Sequence, residues 1–503
     1  MSNRHHILTM LAPAWGHTVG YLHLAVQMLE ADPTLVVTIF QHNLVVGQIE
    51  GELAGCEYDA SRLRIHGVGS KDIAFGPTVF AVMFEELIGG WMQLLSDIKE
   101  KKHPRPRAIH FDFTCGGAVI DATKSVVGTD CKFLTWFTAL AAILPAHTID
   151  YDFAAAVEEI YADEAQRAGR TREEIQLQVA IAWNGTERFS SKVVANPGAP
   201  DMYDYERVSV ASGPPVVMFT VISSSQKLSK LVDGYITTST PAIEPVGIPQ
   251  LKALLHAREK KQELFTVGLQ TSPAIFAGTK CPVTNSTVKS FLDKHAPNSV
   301  LYISFGSLFF PVEIPGHIEA LINTLLAAEP AFPFIFALGG AMAANGVPQP
   351  LIDRVNASGR GLICQSWVEQ RAILQHEAVG WFLSHGGFNS ITECILEGIP
   401  MIIWPVGAEQ PVNAAFLSAE PNPIAVELLQ VRFGTQVGPS LRGGPTITGT
   451  VEDATKEFEA VFRDVRGEKG ERLWANIREL GRKAREARVG EAAEEVKRLA
   501  LFY

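Results

Sequence analysis

The sequence predicts an α/β protein with two doubly wound parallel sheets, one in each half of the chain. Short apolar runs with β-branched residues, at 5–12 and 35–40, flank a stretch with helical spacing at 20–30. The same alternation of strands and helices returns after residue 299. The length of 503 residues also exceeds the roughly 250–300 residues that one hydrophobic core accommodates.

Alternating patterns define the other expected elements. In the first half, strands follow at 107–111 and 131–137, with a helix over 116–126 between them. The elements expected in the second half are strand 299–305, helix 315–328, strand 333–338, strand 361–364, helix 368–375, strand 379–383, helix 389–397 and strand 400–404. Strands joined through a helix run parallel, and ligands bind at the carboxyl ends of such strands.

Composition shifts indicate where the domains begin and end. We expect a first domain over 1–255, with a helical insertion at about 151–190. The polar, Pro- and Ser/Thr-containing stretch 256–284 is the expected linker. A second domain follows over 285–480, and a C-terminal helix over 481–503 is expected to pack back on the first domain.

Composition and charge exclude several classes of protein. Hydrophobic residues make up 47% of the chain and charged residues 19%, which excludes a disordered chain. The net charge of −11 and the lack of a basic block argue against nucleic acid as a partner. No apolar run approaches the ~20 residues of a membrane-spanning helix, so no transmembrane segment is expected. The 6 cysteines show no C-x-x-C spacing, which favours a reducing, cytoplasmic location.

The segment after strand 379–383 has the pattern of an anion site. The strand ends in Ser-His-Gly-Gly (384–387), and a helix begins near Phe-Asn-Ser (388–390). Glycines let a backbone approach a ligand closely, and free amides at a helix N-terminus attract anions. Glu393, one turn into the helix, could accept hydrogen bonds from the two vicinal hydroxyls of a ribose. The pattern alone fits equally well a helix whose polar N-terminus satisfies only itself.

The wider segment 367–414 resembles the signature box of the family 1 UDP-dependent glycosyltransferases. It contains Trp with Gln three residues on, then H-x-G-x-N-S, Glu, G-I-P-M, W-P and E-Q in register. The stretch SVLYISFGSLFFP at 299–311 resembles the family's SFGS loop at the start of the second domain. The resemblance implies the GT-B fold, in which two Rossmann-like domains face each other across a cleft. It also implies a UDP-sugar donor.

The resemblance implies a role for each residue of the box. The uracil would stack on Trp367, the ribose would contact Gln370 and Glu393, and the sugar would contact Glu409 and Gln410. The diphosphate would lie at the start of the following helix. The other donor-binding residues that it implies are Gly306, Ser307, Thr138, Val368, His385, Gly387, Phe388, Asn389 and Ser390.

The box departs from the plant pattern at a few positions. Gly386 stands where plant members usually have Cys, and Phe388 stands where they have Trp. A backbone amide at 388 would still bind the donor. Glu409 replaces Asp and adds one methylene at the sugar-facing position, which leaves the sugar open, while Gln410 favours glucose by resemblance.

Two residues of the first half are candidates for acid–base chemistry. His17 follows the first strand, and an isolated histidine at such a place is more often a helix-capping or core residue. The family, however, places its general base in this Gly-His pair. Asp112 could be a helix N-cap, but by position it matches the Asp that supports that base. Asp121 is a competitor for the supporting role. The pair implies deprotonation of an acceptor hydroxyl and attack on the sugar with inversion.

The acceptor and metal assignments have weaker signals. The stretch 73–95 is rich in Phe, Met and Trp, and such a stripe is more often core than pocket. The resemblance favours a pocket for apolar acceptors, and its candidate residues are Phe75, Phe80, Met83, Phe84 and Trp91. The triplet at 150–152 (Asp-Tyr-Asp) matches a metal motif of another glycosyltransferase fold, but three letters recur by chance. No metal or other cofactor is expected.

The sequence therefore predicts an inverting glycosyltransferase. The expected reaction moves a sugar, glucose by resemblance, from UDP to a hydroxyl of an apolar small molecule such as a phenolic, flavonoid or terpenoid. Two alternatives remain: a UDP-sugar epimerase of the same fold, and a non-catalytic UDP-sugar-binding protein. The second would keep the 367–414 box but lack the His17 and Asp112 pair.

Overall fold

The chain divides into two compact units, each built around its own sheet. The first unit comprises Met1–Trp183, Gly213–Pro273 and Glu486–Tyr503, and the second comprises Asn184–Ser212 and Ala274–Arg485. The structure, a computed structural model, describes residues 4–73, 79–145, 152–184, 192–207, 215–307, 309–340, 343 and 346–503.

The first unit contains a seven-stranded parallel sheet. Its strands are β1 His5–Met10, β2 Leu35–His42, β3 Leu63–Val68, β4 Ala108–Asp112, β5 Lys132–Phe137, β8 Gly234–Thr237 and β9 Glu263–Thr266. Their order within the described residues is β3-β2-β1-β4-β5-β8-β9, and every neighbouring pair is parallel. The strand order reverses between β1 and β4, which places the switch point of a doubly wound sheet there.

Helices and turns connect these strands. The helices of the first unit are α1 Trp15–Ala31, α2 Asn43–Leu53, α3 Val79–Lys99, α4 Ile120–Val127, α5 Phe153–Ala162, α6 Glu164–Arg167, α7 Arg172–Asn184, α9 Pro215–Leu231, α10 Gly247–His256 and α20 Glu491–Ala500. The core of this unit joins α1 and the central strands through residues such as Leu22, Ile39 and Trp136. Val496 and Leu499 of α20 belong to the same core.

Helix α3 satisfies the length and hydropathy of a membrane span, contrary to the expectation that no segment would. Its 21 residues have a mean hydropathy of 1.2 over the best window, and 33% of that window is buried. The buried positions recur every three or four residues, as Met83, Leu87, Trp91, Leu94 and Ile98. This spacing is that of one apolar face packed on a protein core, and such a helix is weak evidence for a membrane span.

The second unit contains a six-stranded parallel sheet and a separate hairpin. The sheet strands are β10 Val300–Ser304, β11 Phe334–Ala337, β12 Gly361–Cys364, β13 Val379–Ser384, β14 Met401–Ile403 and β15 Ala425–Glu427. Their order is β12-β11-β10-β13-β14-β15, with the switch point between β10 and β13. The hairpin pairs β6 Val193–Asn196 with β7 Ala199–Tyr203 in antiparallel register.

The helices of the second unit lie along the same chain order. They are α8 Asp204–Arg207, α12 Ser286–Leu292, α13 Pro315–Ala327, α14 Gln349–Ser358, α15 Gln370–Leu374, α16 Phe388–Glu397, α17 Gln410–Leu417, α18 Val451–Asp464 and α19 Glu468–Val489. A short helix, α11 Pro273–Phe276, stands at the boundary of the two units. The core includes Leu321 of α13, Trp404 after β14 and Phe458 of α18.

The two doubly wound sheets that the sequence predicts are confirmed, with differences in individual strands. The expected strands at 299–305 and 379–383 correspond to β10 and β13. Four sheet strands were not predicted: β3, β9 and β15 are edge strands, which lack the continuous apolar run of a central strand, and β8 is an interior strand of only 4 residues. Strand β9 lies within 256–284, so the expected linker is partly sheet of the first unit.

Candidate functional site

A histidine–aspartate pair lies at the switch point of the first sheet. Nδ1 of His17 is 2.9 Å from Oδ2 of Asp112. Asp112 ends β4 and is fully buried, whereas the His17 side chain is 25% exposed. Helix α1 begins at Trp15, so His17 lies in its first turn rather than in the loop before it, where the sequence pattern predicted it.

Neighbouring groups fix both members of the pair. Oδ1 of Asp112 accepts hydrogen bonds from the amide and the hydroxyl of Thr114, at 3.0 and 2.7 Å. The indole Nε1 of Trp136 donates to the carbonyl of His17 at 2.9 Å, and the ring of Phe113 stacks on the imidazole. A carboxylate oxygen only accepts, so Nδ1 of His17 donates to it. In the neutral ring Nε2 is then the basic nitrogen.

Two other candidates of the first unit have different surroundings. Asp121, the competitor for the supporting role, forms an exposed ion pair with Lys227 at 2.6 Å. Thr138 directly follows β5, the strand that pairs with β4, and is half-buried. Thr138 is therefore on the same sheet edge as Asp112, whereas Asp121 lies in α4 with a cation of its own.

The apolar candidates of the first unit divide between core and surface. Phe75 lies outside the described residues. Trp91 is fully buried, donates from Nε1 to the hydroxyl of Thr123 at 3.0 Å, and packs among core rings. Met83 is also buried, so both have the surroundings of core side chains rather than of a pocket wall. Phe80 and Phe84 are only partly buried.

Glycines surround a buried histidine at the switch point of the second sheet. Gly306 follows β10 with φ +77°, and Gly386 follows β13 with φ +82°. A Cβ at Gly306 would lie 2.8 Å from Cε1 of His385, and one at Gly387 would overlap its Nε2. The imidazole of His385 therefore fits only because both flanking positions lack a side chain.

Burial keeps the imidazole of His385 neutral. It lowers the pKa of His385 from 6.5 to about 4, because a buried cation loses its hydration. The ring of Phe309 stacks on it with centroids 5.9 Å apart. A neutral imidazole at this point can serve one hydrogen bond to a ligand but carries no charge to it at pH 7.

Helix α16 supplies the positive potential that His385 does not. Its N-cap is Gly387, which has no side chain to accept from the first amides, and its first residues are Phe388, Asn389 and Ser390. The free amides and dipole of a helix N-terminus stabilise an anion such as a diphosphate. The side-chain amide of Asn413 donates to the carbonyl of Gly386 at 2.9 Å and holds the preceding turn.

The expected uridine end of the site is arranged around Trp367. This indole is 70% exposed, beside Val368, which is buried. A Cβ at Gly339 would lie 2.9 Å from Cα of Trp367, so the loops after β11 and β12 meet here. Nε2 of Gln370 donates to Oε2 of Glu393 at 2.7 Å, which brings the two expected ribose contacts together.

The expected sugar end is the loop before α17. Gln410 is 1% exposed, and its Oε1 accepts from the amides of Val406 and Gly407 at 2.8 and 2.6 Å. The side-chain oxygen of Gln410 therefore holds the loop that precedes α17. Glu409 is half-buried at the N-cap of α17 and follows Ala408, whose φ of +51° is unusual for a residue with a side chain. Such strained residues cluster at functional sites.

Several residues of this edge were missed by sequence reasoning. Gly340 follows β11, and a Cβ there would lie 2.6 Å from the carbonyl of Gly306. A Cβ at Gly407 would overlap the ring of Phe309. The Gly-Gly pair at 339–340 directly follows a predicted strand, so the strand-end rule could have found it. Nothing in the sequence links Phe309 to Gly407 or to His385. Ser307, which was expected, is exposed beside Gly306.

The Asp-Tyr-Asp triplet has a structural explanation at its described member. Asp152 caps α5 by accepting from the amide of Ala155 at 3.0 Å, and it pairs with Lys230. The hydrogen bond from Lys230 is the largest of the effects that lower its pKa. Across the residues that the structure describes, no group of three or more His, Cys, Asp or Glu side chains could hold a metal ion.

Comparisons with known proteins show which families and relatives this chain is similar to in sequence. A family model described as UDP-glucoronosyl and UDP-glucosyl transferase matches residues 272–432. UDP-glycosyltransferase eriJ of Hericium erinaceus is 28% identical over 100% of this chain and 99% of its own length. Nuatigenin 3-beta-glucosyltransferase of Solanum aculeatissimum is 35% identical over 35% of this chain and 33% of its own length.

Solved structures match the fold over nearly the whole chain. A UDP-glucosyltransferase from Polygonum tinctorium, capable of glucosylating indoxyl, has a TM-score of 0.68 with 19% identity. The match covers 99% of this chain and 98% of that one. The GT-B fold class that the sequence predicts is confirmed.

Proposed function

We propose that the chain is a family 1 UDP-dependent glycosyltransferase that moves glucose from UDP-glucose to a hydroxyl of an apolar small molecule, with inversion at the sugar; the family model, the curated relatives and the fold support this assignment. The observation that carries this proposal is the hydrogen bond between His17 Nδ1 and Asp112 Oδ2 at 2.9 Å. A UDP-binding protein without chemistry needs no such pair, whereas transfer to a hydroxyl needs a base.

The proposed reaction balances one proton and one leaving group. Nε2 of His17 takes the proton of the acceptor hydroxyl while the acceptor oxygen forms a bond to the anomeric carbon. The bond from that carbon to the β-phosphate oxygen breaks on the opposite face, and UDP leaves with the bonding electrons. Asp112 stabilises the imidazolium that forms at His17, the role of the carboxylate in a His–Asp pair.

The second unit would bind the donor. Trp367 would stack on the uracil, and Gln370 with Glu393 would hold the ribose. The amides of residues 388–390 at the start of α16 would stabilise the negative charge on the departing UDP, so we expect no metal requirement. Glu409 and the loop that Gln410 shapes would contact the glucose. The printed functions of the relatives, on nuatigenin and indoxyl, favour a phenolic or terpenoid acceptor here.

An assay of UDP release tests the proposal. The protein would be incubated with UDP-glucose, with and without a panel of phenols and sterols, and with and without EDTA. We expect UDP release that depends on the acceptor, a β-configured glucoside and no effect of EDTA. Turnover without any acceptor would indicate an epimerase or hydrolase instead. Binding of UDP-glucose without turnover on any acceptor would indicate a binding protein and overturn the proposal.

A further inference from the structure

A segment inserted between two stretches of the first unit belongs structurally to the second. Residues 184–212 lie in the second unit, although Met1–Trp183 and Gly213–Pro273 lie in the first. The described part contains the hairpin β6–β7 and helix α8 (Asp204–Arg207). The sheet of the first unit does not require this segment, since β5 and β8, on either side of it in the sequence, pair directly with each other. The hairpin and α8 therefore add to the second unit rather than to the sheet of the first.

Glu206 anchors this segment through buried hydrogen bonds. Its carboxylate is fully buried and accepts from the amide of Tyr203 at 2.9 Å, the hydroxyl of Ser440 at 2.6 Å and the amide of Leu441 at 3.1 Å. Its own carbonyl accepts from Arg432 at 2.7 Å. The hydroxyl of a neighbouring residue, Tyr205, donates to the carbonyl of Pro439.

The anchor continues into a buried ion-pair network at the end of β15. Arg432 and Arg442 both pair with Glu427, and Arg442 also lies 3.7 Å from Glu206. These two cations and two anions lie together inside the unit, and a third, partly buried carboxylate, Glu457, interacts with Glu427 and Arg432. Removing one member of such a network leaves an uncompensated buried charge. Glu427 lies opposite Ile403, the last residue of β14, so the network stands one strand away from the loop that leads to Glu409.

The anchored hairpin packs on the helix that follows the expected sugar loop. Strand β7 and helix α8 both contact α17, which begins at Gln410. Within α17, only Phe416 is not fully buried. A helix buried on all faces must be covered on more than one side. Strand β15 contacts α17 from within the sheet, and the inserted hairpin contacts it as well, with Met202 fully buried.

We propose that the inserted segment is a positioning element for the donor sugar, and that Glu206 is the residue that holds it in place. By anchoring the hairpin against α17, Glu206 fixes the start of that helix and hence Glu409 and Gln410. The inference rests on the proposed function, because it assigns these two residues to the sugar. The uridine contacts at Trp367 and Gln370 follow β12, which lies at the opposite edge of the sheet from β15, and they are expected to be independent of the anchor. The start of α16 is not, because Asn413 of α17 donates to the carbonyl of Gly386.

Substitution of Glu206 tests this role. We would compare Glu206→Gln with the milder Tyr205→Phe and with Asp201→Asn, an exposed carboxylate on the same hairpin. In Glu206→Gln we expect the KM for UDP-glucose to rise about tenfold through misplacement of the sugar loop. We also expect the Kd for uridine, which lacks the diphosphate, to change by no more than about twofold, since distant sites act independently. Tyr205→Phe should show the same pattern more weakly, and Asp201→Asn should behave as wild type.

Hydrogen exchange supplies a measurement that needs no donor. The amides of residues 412–417 in α17 should exchange about tenfold faster in Glu206→Gln, but not in Asp201→Asn. Unchanged exchange and KM in a folded Glu206→Gln variant would overturn the inference and leave the proposed function intact. Equal losses of affinity for uridine and UDP-glucose would also overturn it. A wild-type chain that binds neither UDP nor UDP-glucose would overturn both.

Discussion

The switch points of the two sheets occupy equivalent places in the topology but hold opposite kinds of chemistry. In the first unit, between β1 and β4, an ionisable pair lies at the strand ends, with His17 partly exposed and Asp112 buried. In the second, between β10 and β13, the histidine is buried between glycines. The residues directly after the strand thus make one crevice suited to proton transfer and the other suited to an anion.

The difference between the two histidines has a physical cause. Nδ1 of His17 donates to Asp112, so Nε2 is the ring nitrogen that can accept a proton. Among the described residues, no carboxylate offsets the burial of His385, which lowers its pKa to about 4. The second switch point must therefore draw its positive potential from the amides of α16, which carry no proton to lose. In the proposed reaction, the proton and the diphosphate therefore have separate sites.

Removal of the His17 side chain should have the largest effect on activity, because it takes away the group that distinguishes the first switch point from the second. We expect His17→Ala to lower kcat by about 10²–10⁴-fold, the usual contribution of a general base, with little change in the Kd for UDP. Steady-state kinetics and calorimetric UDP binding would measure the two effects. His256→Ala, an exposed histidine of the same unit, serves as the control. Retained transfer by His17→Ala would contradict the assignment of the base.

Asp112→Asn should test the tautomer of His17. The two donors of Thr114 would hold the amide oxygen of the new side chain, because both now donate to Oδ1. Its amino group would then face Nδ1 of His17, and the ring proton would move to Nε2, the atom that must accept. We expect kcat to fall about 10²-fold with KM for the donor unchanged. Wild-type kcat in this variant would show that Asp112 does not set the tautomer.

Acid should destabilise the second unit through His385. The pKa of this histidine is about 4 in the folded chain against an ordinary value of 6.5, so the unfolded chain binds the extra proton between these values. Stability therefore falls as the pH drops through this window, by about 2 kcal/mol from pH 7 to pH 5. Urea unfolding of wild type and His385→Gln at pH 7 and pH 5 measures how much of the change in unfolding free energy comes from His385. An unchanged pH dependence in His385→Gln, matching the exposed His103→Gln control, would contradict a neutral buried imidazole.

Trp367→Ala should produce the smallest of these effects. The indole is 70% exposed, so its loss should leave the melting temperature within a degree or so while weakening UDP binding about tenfold through lost stacking. Trp367→Phe should retain most of the affinity, since a ring remains. Equal UDP affinity in wild type and Trp367→Ala would remove this residue from the donor site.

Local patterns were sufficient where a residue and its role lie in one short segment. Glycine placement predicted the helix start after Gly386 and Gly387, and apolar runs predicted the strands around it. The anchor at Glu206 could not, because its partners Ser440 and Leu441 lie more than two hundred residues away along the chain. Trp91 was misassigned for a different reason. A run of aromatic residues has the same sequence pattern in a core as in a pocket, and only the burial of Trp91 in the structure distinguishes the two.

The sequence by itself determined the two doubly wound sheets, the resemblance to the UDP-dependent glycosyltransferases and the segments that hold the candidate residues, because strand–helix alternation and the 367–414 box are local. The tertiary structure decided which of these residues meet. It joined His17 to Asp112 across 95 positions, enclosed His385 between Gly306 and Gly387, and placed an inserted hairpin of the first half in the second unit. Distances and burial depend on how strands are ordered in a sheet, and that order is a property of the whole fold.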